Sequence, residues 1–276
     1  MIEIPEAIIL SQQLEKTVKG KRIKKTIAAA SPHKFTFYFG NPDDYNALLA
    51  GRMLEKAAPV GGRIEISTEG AVLHFGDGAI LRYYEAGESL PTKHQLLIEF
   101  DDGSALVGTV AMYGGLWAFP EGAMDDNIYY RAAIEAVPPL SEAFSRDYFR
   151  TFFDEKGEKM SAKAFLATQQ RIPGLGNGVL QDILLNAGIH PKQKIHKLSD
   201  KQREGLFNSI KLTLSEMVDG GGRDTERDLF GNFGDYETKL SKNTLHLPCP
   251  ECGGTIQKEA YLGGSIYYCE NCQCLQ

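Results

Sequence analysis

The sequence predicts an α+β, multidomain protein: an N-terminal helix plus an antiparallel β-sandwich, a helical half, and a small cysteine hairpin. Three observations carry that reading. Between about residue 25 and residue 120, β-rich runs alternate with Gly-containing turns. Beyond residue 141, apolar residues recur at helical spacing behind capping residues. All five cysteines lie at or beyond Cys249.

The first element is a helix over residues 5–19. Leu10, Leu14 and Val18 share a face, and Gly20 is its stop. Five strands follow, "RIEIST", "AVLHF", "AILRYY", "HQLLIEF" and "ALVGTVAMY", set apart by "TEG", "GDG" and "DDG" turns. These residues, 1–128, make the first domain. "EAVPPLSEAF" marks a linker, 129–141. The helical domain, 142–244, opens with "AKAFLATQQ". In "NGVLQDILLNAG", Leu180, Ile183, Leu184 and Ala187 share a face, with Asn177 as the cap and Gly188 as the end. Ser199 and Gln202 have capping-box spacing at the start of the next helix. "DGGGRDTERDLFGNFGDYETKL" is Gly-rich and charged, the composition of a working loop. Residues 245–276 form the cysteine unit.

The 276 residues are 42% hydrophobic and 24% charged, with a net charge of −6. That balance excludes a globally basic nucleic-acid binder, though not a local basic surface. "KTVKGKRIKK" gathers Lys16, Lys19, Lys21, Arg22, Lys24 and Lys25, either as a solvated helix end or as such a surface. No apolar run is long enough to span a bilayer. "MIEIPEAI" lacks the basic and apolar regions of a signal peptide, so the expected location is cytoplasmic.

"CPEC" and "CENC" give the spacing C-x2-C-x16-C-x2-C. Two such pairs bring four thiolates to one tetrahedral Zn²⁺ and leave no position for substrate, so one structural zinc is expected on Cys249, Cys252, Cys269 and Cys272. The other reading is four free or redox cysteines. Cys274 is left over as a bystander. "TIQKEAYLGGSIYY" between the pairs reads as two strands around a Gly263–Gly264 turn. "RIPGLGNGVL" sets glycines and Asn177 before an amphipathic helix, which suits a phosphate or is an ordinary capped turn. It fails as a dinucleotide fingerprint because Val179 holds the third glycine position.

"EIPE" at the start, the β-rich half, "PGLGNGVLQDILLNAGIHP" and the four-cysteine hairpin stand in one order. Together they resemble the formamidopyrimidine-DNA glycosylase and endonuclease VIII family of helix–two-turn–helix (H2TH) base-excision repair enzymes, over nearly the whole chain. The resemblance implies a β-sandwich and an H2TH domain with a zinc finger, acting as a monomer on double-stranded DNA with a damaged or abasic site held in the cleft between them. It also implies DNA glycosylase and AP lyase chemistry. In that family the amine of an N-terminal proline, exposed by loss of Met, attacks C1′ of the damaged nucleotide, and a neighbouring Glu shuttles protons. Glu3 matches the acid/base, and Pro5 and Glu6 match the motif that follows.

The proline position holds Ile2. With Met1 in place the Ile2 nitrogen is an amide and no nucleophile, and a bulky second residue hinders Met removal. With Met1 removed, Ile2 offers a primary amine. Arg63 aligns with the family's phosphate-contacting lysine. Asp77, Met112 and Tyr113 fall at the residues that fill the base stack. Gly264 replaces the zinc-hairpin arginine, whereas Gly176 and Asn177 match the phosphate-binding loop. His74 joins the candidate DNA contacts, or is a strand residue alternating with Leu73 and Phe75. Glu3 has its own plain reading as a helix N-terminal charge, Met112 and Tyr113 theirs as sandwich core, and His190 as packing. Two functions from different classes follow: a repair enzyme using a variant amine, or a protein that binds lesions or abasic sites without efficient chemistry.

Overall fold

The computed structural model describes residues 1–124 and 126–276. The chain divides into two compact units, Met1–Ile134 with Thr225–Gly234, and Glu135–Asp224 with Asp235–Gln276.

Unit 1 opens with α1 (Ile4–Thr17). Glu3 and Glu6 form a reciprocal capping box, with Pro5 in the first turn, where its missing N–H costs nothing. The predicted face of Leu10 and Leu14 is buried, and Gly20 follows the helix at φ +77°. Then come β1 (Ile23–Ala28), β2 (Thr36–Phe37), the short helix α2 (Tyr45–Leu49), β3 (Leu54–Val60), β4 (Arg63–Thr68), β5 (Ala71–Tyr84), β6 (Leu96–Phe100) and β7 (Ala105–Pro120).

The strands hydrogen-bond in the order β1-β6-β7-β5-β4-β3. Every pair along this path is antiparallel, and β2 adds one parallel pairing to β7. Ile23, Ile98 and Phe100 from one end of the path share a core with Leu54, Ile64 and Ile66 from the other. The long strands β5 and β7 therefore carry the sheet across two layers that face each other, with Leu10 and Leu14 of α1 in the same core. Each such side chain contributes about 1.5–3 kcal/mol on burial.

"GDG" is not a turn. Gly76–Gly78 lies inside β5, which runs unbroken from "AVLHF" into "AILRYY". The ladder steps from Asp77↔Gly114 to Ala79↔Val110, so Gly78 alone faces Ala111, Met112 and Tyr113. The glycines serve close approach instead of reversal: a Cβ on Gly78 would lie 2.4 Å from the Tyr113 carbonyl oxygen, and one on Gly114 would lie 2.7 Å from the Ala79 nitrogen. Asp77 takes the strain of the bulge at φ +59°.

The expected linker 129–141 is partly helical, since α3 spans Ile128–Glu135 with Tyr130 and Ala133 buried. Residues 225–234, expected within the helical domain, pack with unit 1. The reasons are specific. Leu229 is fully buried in the sandwich core, its carbonyl accepts from Tyr83 N at 3.0 Å, and the Gln13 side chain binds both Leu229 N and the Asp228 carboxylate at 2.9 Å.

Unit 2 contains α4 (Arg146–Arg150), α5 (Glu155–Glu158), α6 (Ala162–Ala167), α7 (Asn177–Asn186), α8 (Asp200–Asp219), β8 (Ile256–Tyr261) and β9 (Gly264–Cys269). The cap of α7 is Gly176, and Asn177 is the first helical residue, a correction to the expected cap. Ser199 and Gln202 do form the capping box of α8. Asp182 of α7 is fully buried and accepts from Lys239 N at 2.9 Å, Leu240 N at 2.8 Å and Tyr236 Oη at 3.1 Å. The β8–β9 turn is Leu262–Gly263, at φ +49° and +75°, so Gly264 begins β9 instead of sitting in the turn. No described helix is long and apolar enough to cross a membrane.

Candidate functional site

The chain start, the β5 bulge and the β7 bulge meet within unit 1. Ile2 N–H donates to the Asp77 carbonyl at 2.7 Å. The Ile2 side chain, 6% exposed, belongs to the sandwich core. The residue at the family's nucleophile position is therefore a packed, hydrogen-bonded amide. The free amine is that of Met1, and it pairs with Glu226 Oε2 at 2.6 Å. Glu3 and Glu6 are buried at the α1 cap, where the helix N-terminus favours their charge. A cavity of about 210 Å³ is lined here by Met1, Ile2, Glu6, Arg82, Glu226 and Phe233, among others.

Met112 is 66% exposed and Tyr113 is also exposed, both on the looped-out stretch of β7. Their reading as sandwich core is thereby excluded. Burial first, then the negative charges of Asp77 and Glu3, push the Tyr113 phenol upward, so these three side chains share one electrostatic neighbourhood.

The other predicted contacts of unit 1 separate. His74 is 1% exposed, with its ring stacked on Trp117 at 5.4 Å and edge-on to Tyr130. Burial pushes its imidazole downward, against the Glu65 carboxylate 3.5 Å away. It is a packing residue and presents no group to a DNA backbone, a correction to the expected contact. Arg63 is partly exposed, and its guanidinium lies 5.8 Å from the Trp117 ring centroid.

In unit 2 the loop before α7 meets the finger. Asn177 Nδ2 donates to the Ser265 carbonyl of β9 at 2.8 Å, and Gln181 Nε2 donates to the same oxygen at 3.0 Å. The Asn177 side chain thus ties helix to hairpin, while Gly176 presents the helix N-terminus. Lys163 of α6, 4% exposed, donates to the Tyr261 carbonyl at 2.6 Å. A Cβ on Gly264 would lie 3.6 Å from Lys163 Nζ and 3.7 Å from Asn177. An ammonium therefore stands beside the position where the family's arginine is absent. The sequence singles out neither Lys163 nor Glu226. Lys163 lies in the helix candidate "AKAFLATQQ" and Glu226 in the charged loop expected to be a working one, but only tertiary folding gives either residue its place.

The ligand atoms of Cys249, Cys252, Cys269 and Cys272 all lie within 4.8 Å of one another. The Sγ–Sγ separation is 3.9 Å for Cys249–Cys272 and 3.5 Å for Cys252–Cys269. A tetrahedron with Zn–S of about 2.3 Å needs sulfurs about 3.8 Å apart. The donor set and its spacing fit one structural Zn²⁺ with a closed shell. Gln273 fixes the knuckle, accepting from Cys269 N and donating to the Ile189 carbonyl, each at 2.9 Å. Cys274 is exposed and outside the four. His190 packs edge-on against Tyr268 at 4.3 Å.

Residues 136–228 match the model of the formamidopyrimidine-DNA glycosylase H2TH domain. The formamidopyrimidine-DNA glycosylase of Pelotomaculum thermopropionicum is 30% identical over 69% of each chain. That of Cytobacillus firmus is 28% identical over 99% of this chain and all of its own. Among solved structures, the MutM (Fpg) protein of Thermus thermophilus superposes with a TM-score of 0.82 at 21% identity, over 99% of both chains. Lactococcus lactis Fpg, in a complex with DNA containing an abasic site, gives 0.82 at 22% identity over 98% of this chain and 99% of its own.

Proposed function

The chain belongs to the formamidopyrimidine-DNA glycosylase family, and on that footing we propose that it is a base-excision repair enzyme of damaged or abasic double-stranded DNA. The observation that carries this reading is the gathering of Ile2, Glu3 and the exposed Met112–Tyr113 bulge around Asp77, with the terminal amine one residue away on Glu226. An amine can capture the aldehyde of an abasic sugar. A carboxylate at the α1 cap can exchange the protons that elimination requires. Met112 and Tyr113 are apolar groups of the right kind to occupy a space left in the base stack. The zinc named above holds the finger in shape and takes no part in the reaction.

Abasic-site cleavage should exceed base excision. The open aldehyde is accessible to a primary amine displaced by one residue. Excision requires attack at C1′ while the base leaves, where small misplacements are costly. The test is borohydride trapping on an abasic duplex beside glycosylase assays on duplexes with single damaged bases. Glu3→Gln should lower strand cleavage by about 100-fold or more while duplex affinity holds within a few-fold, because shape is kept and the proton-transfer group is lost. Equal losses in both would assign Glu3 to the helix cap alone.

In unit 2 the DNA backbone would meet the α7 N-terminus at Gly176 and Asn177; in unit 1 it would meet the partly exposed Arg63. Asn177→Ala should weaken binding to every duplex sequence alike, by about tenfold, since phosphate contacts carry no sequence information. Affinity should fall with added salt. Sequence-dependent losses, or affinity indifferent to salt, would speak against this grip. The second reading, a lesion-binding protein without chemistry, is favoured by the burial and hydrogen bonding of Ile2. It prevails if the protein binds abasic duplex tightly and never traps.

A further inference from the structure

We propose that Glu226 is a catalytic residue: the base that frees the Met1 amine for attack on an abasic sugar, and the counter-ion of the cation that results. The inference rests on the abasic-site reading above and names the group that acts on its nucleophile.

The Ile2 nitrogen is engaged with Asp77 and its side chain fills the core, so it cannot swing out to react without unpacking. The reactive nitrogen is therefore the exposed one of Met1, and Glu226 Oε2 lies 2.6 Å from it. That is hydrogen-bond reach for proton transfer.

Glu226 is held there by its neighbours. The Arg227 guanidinium stacks 4.0 Å from the Phe233 ring centroid and donates to the Gly231 carbonyl at 2.5 Å. The Asp228 carboxylate accepts from Phe230 N at 3.0 Å and Asn232 N at 2.8 Å, and Gln13 pins the same stretch to α1. A carboxylate delivered by so braced a segment is pre-positioned. Both groups line the cavity of about 210 Å³ at the chain start.

The chemistry balances. The Met1 ammonium gives one proton to Glu226, and the free amine adds to the C1′ aldehyde of the ring-opened sugar. The carbinolamine loses its hydroxyl, which takes the proton back from Glu226 and departs as water. Nitrogen and C1′ are left joined as an iminium cation facing the Glu226 carboxylate. Both the ammonium and the iminium are positive, so the carboxylate favours both. Between groups this exposed the ion pair is weak, whereas a positioned base contributes about 100-fold or more.

The test uses the full-length zinc-bound protein, an abasic duplex and borohydride, with peptide mapping of the reduced adduct. We expect the adduct on the Met1 nitrogen. Glu226→Gln should slow trapping by at least about tenfold and flatten its pH profile, with abasic-duplex affinity unchanged within twofold. Glu226→Asp, shorter by one methylene, should fall between. Melting curves of both variants should match the parent, because the side chain is part-exposed and outside the core. Trapping by Glu226→Gln at the parental rate or faster would overturn the proposal, as would an adduct mapped to a lysine. Either result leaves the abasic-site reading standing. Failure of the parent protein to bind abasic duplex in preference to intact duplex would overturn that reading itself.

Discussion

Cys252→Ser is expected to strip the metal and collapse the finger. The hairpin has almost no core of its own: Cys249, Ile256, Tyr267 and Cys269 cluster with Leu185 and Leu240, and two of those six are ligands. A unit this small needs a staple, and a structural zinc contributes binding energy on the order of 10 kcal/mol directly to folding. Removing one of four thiolates opens the shell to water and leaves three thiols that repel one another when ionised. Metal analysis should fall from one zinc per chain to a small fraction. Amide exchange in β8 and β9 should become fast while the sandwich stays protected. The damage should spread to α7, because Asn177 and Gln181 both donate to Ser265 on the hairpin. DNA affinity should therefore fall even though Cys252 touches no phosphate. Cys274→Ser is the matched control and should leave zinc in place. Parent protein purified without stoichiometric zinc would refute the assignment.

Asp182→Ala is expected to destabilise unit 2 by about 3–5 kcal/mol, because it leaves buried donors without an acceptor. Three donors converge on this carboxylate: the backbone N–H groups of Lys239 and Leu240 and the Tyr236 hydroxyl. Burial pushes its acid up to about 6, while those donors and the charge of Arg223 hold it down. Alanine would leave all three donors in a space where water enters poorly. At about 2–4 °C per kcal/mol for a unit of this size, the melting temperature should drop by roughly 10 °C. Asp182→Asn keeps the shape and one acceptor oxygen, and should lose less. A melt of the alanine variant within about 0.5 kcal/mol of the parent, the range of ordinary surface changes, would show that the network is not structural.

Much of the fold and of the candidate site is legible in the sequence where the pattern is local. The capping box of Ser199 and Gln202 and the stripe of Leu180, Ile183 and Leu184 are local patterns, and local patterns survive folding. The four cysteines are legible because ligand spacing is itself a geometric statement. The Gly76–Asp77–Gly78 stretch misleads because a bulge and a turn ask for the same residues; only the pairing partner, Gly114, distinguishes them. His74 is legible as a strand residue, as its place in β5 bears out, but strand alternation says which face a residue occupies, not what lies over that face. Here Trp117 and Tyr130 do. Glu226 is invisible in the sequence because its meaning depends on a partner 225 positions away.

The return of residues 225–234 to unit 1 has a consequence for how the protein is made. Leu229 plugs the sandwich core, and Glu226 meets the first residue of the chain. A nascent chain that has emerged only as far as residue 134 holds every strand of the sheet, yet it lacks that plug. During synthesis at about 5–20 residues per second, a gap of some 90 residues is about 5–18 seconds of exposure. The first unit to be translated is thus the one that must wait for its last piece. The intervening 135–224 has to leave the ribosome before the sandwich can close. Expressing residues 1–134 alone should give an aggregation-prone fragment, and supplying the 225–234 peptide in trans should partly rescue it.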